Sequence, residues 1–257
     1  MIQFQRHIDV DNLWNIILGE AQAVVDETPL LRAYYDRNIL QHSSYNAALA
    51  HVLAEKMADK PENTVQWREF FFGLMLEHKS IALAASKDLL CQLQNNAAIK
   101  DHYTPLLYFG GYQALQCYRL AHICWLNEQT AMANYIQSRT VSLYGVDIHP
   151  AAQIGSGIFM DHAVGIVIGE TAVVEDDVTL FQNVTLGGTG KGSGDRHPKV
   201  RRGAFLGSGA QVFGNIEIGT YAKIAGGAVV VKAVAPGTTV VGPAAKPLGS
   251  FISFLEE

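Results

Sequence analysis

Two short runs hold the side chains of this 257-residue protein that are best suited to chemistry. The first is Asp147-Ile148-His149-Pro150, with Asp161-His162 following it; the second is Asp195-Arg196-His197-Pro198. A histidine beside a carboxylate is what removal of a proton from an alcohol at neutral pH requires. The imidazole takes the proton, and the carboxylate fixes its tautomer and steadies the imidazolium. The second run closes a stretch, Leu186 to Lys199, in which five of the eight residues from Gly187 to Gly194 are glycine. Such a stretch cannot pack as a strand, and the Asp-Arg-His-Pro behind it brings charge to an excursion. Reactive side chains on a loop borne by a rigid scaffold are where function usually sits, against the blander reading of a solvated surface loop.

The scaffold is written in the aliphatic residues. Leu206, Val212, Ile218, Ile224 and Val230 recur every sixth position, and the beat runs upstream through Ile148, Ile154, Met160, Ile166, Ala172, Val178 and Val184. Six fits neither an α-helix near 3.6 nor a lone alternating strand near 2. It fits a three-faced solenoid in which each hexapeptide supplies one short strand and one corner, and stacked coils bury an aliphatic column. The beat reads as broken once, since Val184 and Leu206 are not a multiple of six apart, which predicts an extruded loop at about 187–203. His162, two places past inward Met160, then points to solvent or to a neighbouring subunit.

Residues 1–140 have a different texture. Leu13, Trp14, Ile17, Ala21, Val24 and Val25 keep helical spacing, as do Ala47, Ala48, Leu49, Val52, Leu53 and Met57. Pro29, Pro61 and Pro105 each suit a helix start. The prediction is α+β: an all-helical N-terminal domain (1–140), a β-solenoid domain (141–245) and a short C-terminal tail (246–257). A net charge of −5 without a Lys/Arg stripe argues against nucleic-acid binding. The uncharged run Tyr103 to Tyr118 is interrupted by Pro105, Gly110 and Gly111, so no membrane span is expected; with no basic-then-apolar leader, a cytoplasmic protein is. Cys91, Cys117 and Cys124 show no metal spacing and read as reduced. His42 and His122 sit among helical apolar residues and read as core or interface histidines, and His149 as a corner residue.

The run Val146 to Pro150, the run Asp161 to Ala172, and the runs Val184 to Lys191 and Gly194 to Lys199 resemble serine O-acetyltransferase, a family of the hexapeptide-repeat acyltransferases. Trp14, Glu20-Ala21, Pro29-Leu30, His42-Ser43, Ala47 to Ala50 and Thr104 to Tyr108 extend the likeness to the helical half. The resemblance implies a left-handed parallel β-helix and acetyl transfer from acetyl-CoA to the hydroxyl of L-serine, the first step of cysteine biosynthesis. It implies His162 as general base, Asp147 as its orienting carboxylate, and His197 beside the reacting hydroxyl. Asp161 and the residue at position 96 would face the serine ammonium, while Arg196 grips the carboxylate, as a guanidinium fork can. Gly188, Ser208, Lys223 and Gly226 would line the pantetheine channel, and Lys246 is a candidate for a coenzyme A phosphate; Lys223 also reads as a solvated face. No cysteine lies in these motifs, so direct attack is expected. Acetyl-CoA is the only co-substrate expected and no metal is.

Two departures stand out. Asn96 occupies the position where the family usually carries an acidic residue, which leaves open homoserine or another hydroxy amino acid as acceptor and bears on cysteine as feedback inhibitor. The sequence ends Leu255-Glu256-Glu257 instead of the family's tail ending in isoleucine, so a tight complex with the partner sulfhydrylase is not expected. A homotrimer or a dimer of trimers is implied. Two rivals remain at this stage: a β-helix zinc enzyme, for which the repeat lacks a histidine pair five apart, and a catalytically silent scaffold or regulatory binder.

Overall fold

The computed structural model describes residues 9–190 and 192–246. Apart from Lys246, the expected tail 246–257 lies outside the described residues, as does Lys191 of the glycine run. Asp9 caps α1 (Val10–Glu27) by accepting from the N–H groups of Asp11 and Asn12, and the helix buries Leu13, Trp14, Ile17, Ala21 and Val25 on one stripe. Pro29 and Pro61 each open a single 3₁₀ turn, leading into α2 (Arg32–Tyr35) and α4 (Thr64–Glu77), while Pro105 sits in the first turns of α6 (Tyr103–Tyr108). The bundle is completed by α3 (Tyr45–Met57), α5 (Lys79–Asn95), α7 (Gly110–Leu126) and α8 (Thr130–Tyr144). Cys117 and Cys124 are both buried on α7, and all three cysteines are free.

The last helix runs past residue 140 and stops at Gly145, whose φ of 65° lies in the left-handed region that glycine enters without cost. From there the chain winds through three parallel sheets. One holds β1 (Asp147–Ile148), β4 (Val167–Ile168), β7 (Thr185–Gly187), β10 (Gln211–Phe213) and β13 (Val229–Val230). A second holds β2 (Gln153–Ile154), β5 (Val173–Val174), β8 (Lys199–Val200) and β11 (Glu217–Ile218). The third holds β3 (Phe159–Met160), β6 (Thr179–Leu180), β9 (Phe205–Leu206), β12 (Lys223–Ile224) and β14 (Thr239–Val240). Each coil visits the three in the same order, which makes a three-faced parallel β-helix.

The repeat is interrupted twice, not once. Ile148 pairs Ile168 and Met160 pairs Leu180, twenty residues on, whereas Ile168 pairs Leu186, eighteen on. The two extra residues lie between Met160 and Val167. The spacing hid them because each coil side buries two aliphatic columns two residues apart: Ile148, Ile168 and Leu186 in one, Val146, Ile166 and Val184 in the other. Passing from Met160 to Ile166 changes column without disturbing the beat of six. The second interruption is the extruded loop, where Val174 pairs Val200, twenty-six residues on. It is confined to Gly188–Pro198, shorter than the expected 187–203, because Gly187 still pairs Phe213 and the coil resumes at Lys199.

The two halves are stapled together. Ala114, Leu115 and Tyr118 of α7 enter the solenoid core, each large apolar side chain contributing about 1.5–3 kcal/mol when fully buried. Within that contact Asp88 of α5 is wholly buried. Its Oδ2 accepts from Arg119 Nε (3.0 Å) and Nη2 (2.7 Å) and from Gln116 Nε2 (3.1 Å), and its Oδ1 accepts from the Ile158 N–H (3.0 Å). Arg119 Nη2 also donates to Gly155 O at 2.7 Å, which ties α5 and α7 to the first coil.

Candidate active site

The residues that bear chemistry gather at opposite edges of the β1–β4–β7–β10–β13 sheet. Asp161 and His162 occupy the turn from β3 into β4, and Arg196 and His197 occupy the excursion from β7 to β8.

On the first edge, the two-residue insertion makes a turn in which His162 (φ 55°) and Ala163 (φ 61°) both take left-handed backbone. Ala163 is buried beneath it, and the His162 side chain is 75% exposed, with Nε2 3.7 Å from Asp161 Oδ2. Asp147, on β1 close by, does not pair with His162 in this chain; its Oδ1 accepts from Gln137 Nε2 of α8 at 2.7 Å. The corresponding corners of later coils stack above this turn. Ser208 Oγ donates to Gln182 Oε1 at 3.1 Å, and a Cβ on Gly226 would stand 3.0 Å from Ser208 O. Ser208 and Gly226 therefore continue the His162 edge along the solenoid axis. Lys223 is exposed on the adjoining sheet, on β12, and Lys246 is exposed beyond β14.

On the second edge, His197 is only 7% exposed. Its Nδ1 receives the Thr171 N–H at 3.2 Å and lies 2.9 Å from Thr171 Oγ1. A Cβ on Gly169 would overlap its ring at Nε2, and one on Gly188 would stand 3.4 Å from the same atom. Arg196 Nη2 donates to Glu170 Oε2 at 2.6 Å and Nη1 to Gly194 O at 3.1 Å. That hydrogen bond holds the Glu170 carboxyl below its usual range, whereas burial, and then the charge of Arg196, push His197 below the ordinary histidine value. His149 belongs to the same cluster: burial lowers it, Glu170 raises it, and its ring meets Trp125 edge-on at 5.2 Å. The edge thus offers two cationic or hydrogen-bonding heads, Arg196 and His197, the second seated against the side-chain-free backbone of Gly169.

Asn96 lies apart from both edges at the end of α5, where its Oδ1 accepts from the Ala98 N–H at 3.0 Å. The loop behind it is clamped by Glu20, which accepts from His102 N (2.7 Å) and meets His102 Nδ1 (2.8 Å). Glu170, Thr171, Gly169 and Gln137 were given no role by the sequence; the first three sit inside a matched motif, and their partnership with 196–197 follows only from the twenty-six-residue register that no periodicity reveals. Among the described residues no group of three His, Cys, Asp or Glu is placed to hold a metal ion, and no helix is long and apolar enough to cross a membrane.

Residues 13–117 match the family model for the serine acetyltransferase N-terminal region. A serine acetyltransferase of Salmonella typhimurium is 43% identical over 241 residues, covering 94% of this chain and 88% of its own. Among solved structures, a serine acetyltransferase in complex with cysteine is 42% identical with a TM-score of 0.87, over 91% of this chain and 98% of that one. One from Brucella abortus in complex with coenzyme A is 41% identical with a TM-score of 0.88, over 93% and 96%. Soybean serine acetyltransferase complexed with serine is 38% identical with a TM-score of 0.88, over 94% and 99%. With a helical half leading into a parallel β-helix, and with identity of this level along nearly its whole length, the chain belongs to the serine acetyltransferase family.

Proposed function

We propose that this protein transfers the acetyl group of acetyl-CoA to the hydroxyl of L-serine, giving O-acetyl-L-serine and CoA. The observation that carries the reading is the pairing of an exposed histidine-carboxylate turn on one edge of a sheet with a buried histidine beside a partly exposed arginine on the other, in a chain related along its length to serine acetyltransferases. His162 acts as the base: its imidazole takes the hydroxyl proton as the serine oxygen attacks the thioester carbonyl. The tetrahedral intermediate then collapses, breaking the C–S bond, and the imidazolium returns the proton to the departing thiolate. Asp147 or Asp161 stabilises that imidazolium. Arg196 receives the serine carboxylate, exchanging its contact with Glu170 for the substrate, and His197 lies beside the reacting hydroxyl. Asp161 faces the ammonium; Asn96, apart from both edges within one subunit, joins it from a neighbouring subunit. The pantetheine arm runs along the first edge past Ser208 and Gly226, with Gly188, Lys223 and Lys246 as its further contacts.

Because the two halves flank one sheet, a complete site forms where the first edge of one subunit meets the second edge of the next, as in a homotrimer or a dimer of trimers. Exposed Val167 and Val229 on that sheet suit such a contact. Cysteine, an isostere of serine, competes for the same pocket. A cytoplasmic location accords with the use of acetyl-CoA. The test is thiol release from acetyl-CoA against a panel of hydroxy amino acids: serine is expected to give the highest kcat/KM, and a preference for homoserine, or no turnover with any acceptor, refutes the assignment.

A further inference from the structure

We propose that Thr171 is a positioning residue that anchors the root of the extruded loop and fixes His197 as a permanent hydrogen-bond donor through Nε2. The inference rests on the acetyl-transfer reading for its consequence, but on geometry for its substance. Thr171 Oγ1 accepts from the backbone N–H of Arg196 at 3.0 Å and from that of His197 at 3.1 Å. With both acceptor positions of the hydroxyl filled, its own proton is available to His197 Nδ1, 2.9 Å away. The Thr171 backbone N–H points at the same Nδ1 at 3.2 Å. A backbone N–H can only donate, so Nδ1 must hold a lone pair, and the proton of the neutral ring sits on Nε2. Burial and the neighbouring Arg196 favour that neutral ring. Gly169 gives the ring its place, since a Cβ there would overlap Nε2, and the absence of a side chain at Gly188 keeps a second neighbour off the same nitrogen.

A histidine held this way has no free lone pair with which to take a proton. The two histidines therefore divide the work. His162, exposed and without a neighbour that consumes both nitrogens, serves as the base; His197 gives its Nε2–H to an oxygen of the bound amino acid. Thr171 also sets where Arg196 begins, because a single hydroxyl receives the N–H groups of both loop residues.

The experiment reads the imidazole nitrogens directly, by ¹⁵N NMR of histidine-labelled full-length protein at neutral pH, with His197→Gln to assign the signal. A bare Nδ1 and a protonated Nε2 are expected for His197 in the wild type and in Thr171→Ser. In Thr171→Val, which keeps the backbone N–H and loses the hydroxyl, the serine KM should rise about tenfold, with Thr171→Ser staying close to wild type. A ring protonated on Nδ1 or on both nitrogens in the wild type overturns the proposal, as does a Thr171→Val enzyme with unchanged serine KM or a Thr171→Ser enzyme as impaired as Thr171→Val. The tautomer is read without turnover, so an inactive wild type would remove the acetyl-transfer reading while leaving this measurement to stand or fall alone.

Discussion

Replacing Asp88 by alanine should be the most damaging change available in the contact between helices and solenoid. The carboxylate is fully buried, its partner Arg119 is 8% exposed, and four donors converge on its two oxygens. Removing it leaves the guanidinium buried with carbonyl partners only, and strands the Ile158 N–H and the Gln116 amide. Breaking a buried ion pair from one side costs about 3–5 kcal/mol, and an orphaned buried N–H about 1–3 kcal/mol. These overlap, so a loss of about 4 kcal/mol is expected, or a fall of roughly 8–16 °C in Tm for a chain of this size. Asp88→Asn keeps two acceptor positions and should lose about half as much. The double variant Asp88→Leu/Arg119→Met removes both charges at once and should recover most of the deficit, because the cost lies in the unpaired charge more than in the pair itself. Urea unfolding of the wild type and the three variants at one protomer concentration measures these losses. A single-variant loss under about 1 kcal/mol would show that water reaches Arg119, and the staple argument would fail.

His162→Ala should lower kcat by roughly two to four orders of magnitude with little change in acetyl-CoA binding, the range for a lost general base; near-normal turnover in a thiol-release assay refutes its role. Asn96→Asp should tighten cysteine inhibition by about tenfold, since one oxygen can keep the Ala98 contact while the other adds a charge facing the ammonium; equal inhibition constants would place Asn96 outside the pocket. His51 is buried without a hydrogen-bond partner, and burial, then His42, Arg68 and Arg37, push it down to about 4. Its folded value lies below the unfolded one, about 6.5, so the unfolded chain binds the proton first and stability falls as pH drops through that window. His51→Leu should flatten this acid limb in urea titrations at successive pH values, and an unchanged slope argues that His51 is hydrated.

What the sequence disclosed and what it hid divide along physical lines. Aliphatic residues at the solenoid's inward positions recur because every coil buries the same column, and so Leu206, Val212, Ile218 and Ile224 announced the fold. The helices were legible through spacing and through prolines that tolerate only a first turn. Hidden were the relations that depend on which coil stacks on which. Thr171 meets His197, and Glu170 meets Arg196, twenty-six residues apart by a register that the loop itself creates. Gln137 reaches Asp147 because Gly145 turns α8 back against the first coil. Such contacts leave no periodic trace.

The insertion at His162 shows why the site lies where the repeat fails. A regular corner of this solenoid takes four residues, as between Leu180 and Thr185. Two added residues force the backbone of His162 and Ala163 into the left-handed region, which costs a non-glycine residue of the order of 1 kcal/mol or more each. The strain is met by burying Ala163 and by hydrogen bonds from the Ala163 and Val164 N–H groups to the carbonyls of Asp161 and His162. What it gains is projection: the imidazole stands clear of the solenoid, 75% exposed, beside Asp161. The excursion at 188–198 does the opposite, folding its histidine inward until Thr171 holds one of its nitrogens. One interruption frees a histidine to change its protonation; the other confines a histidine to one tautomer.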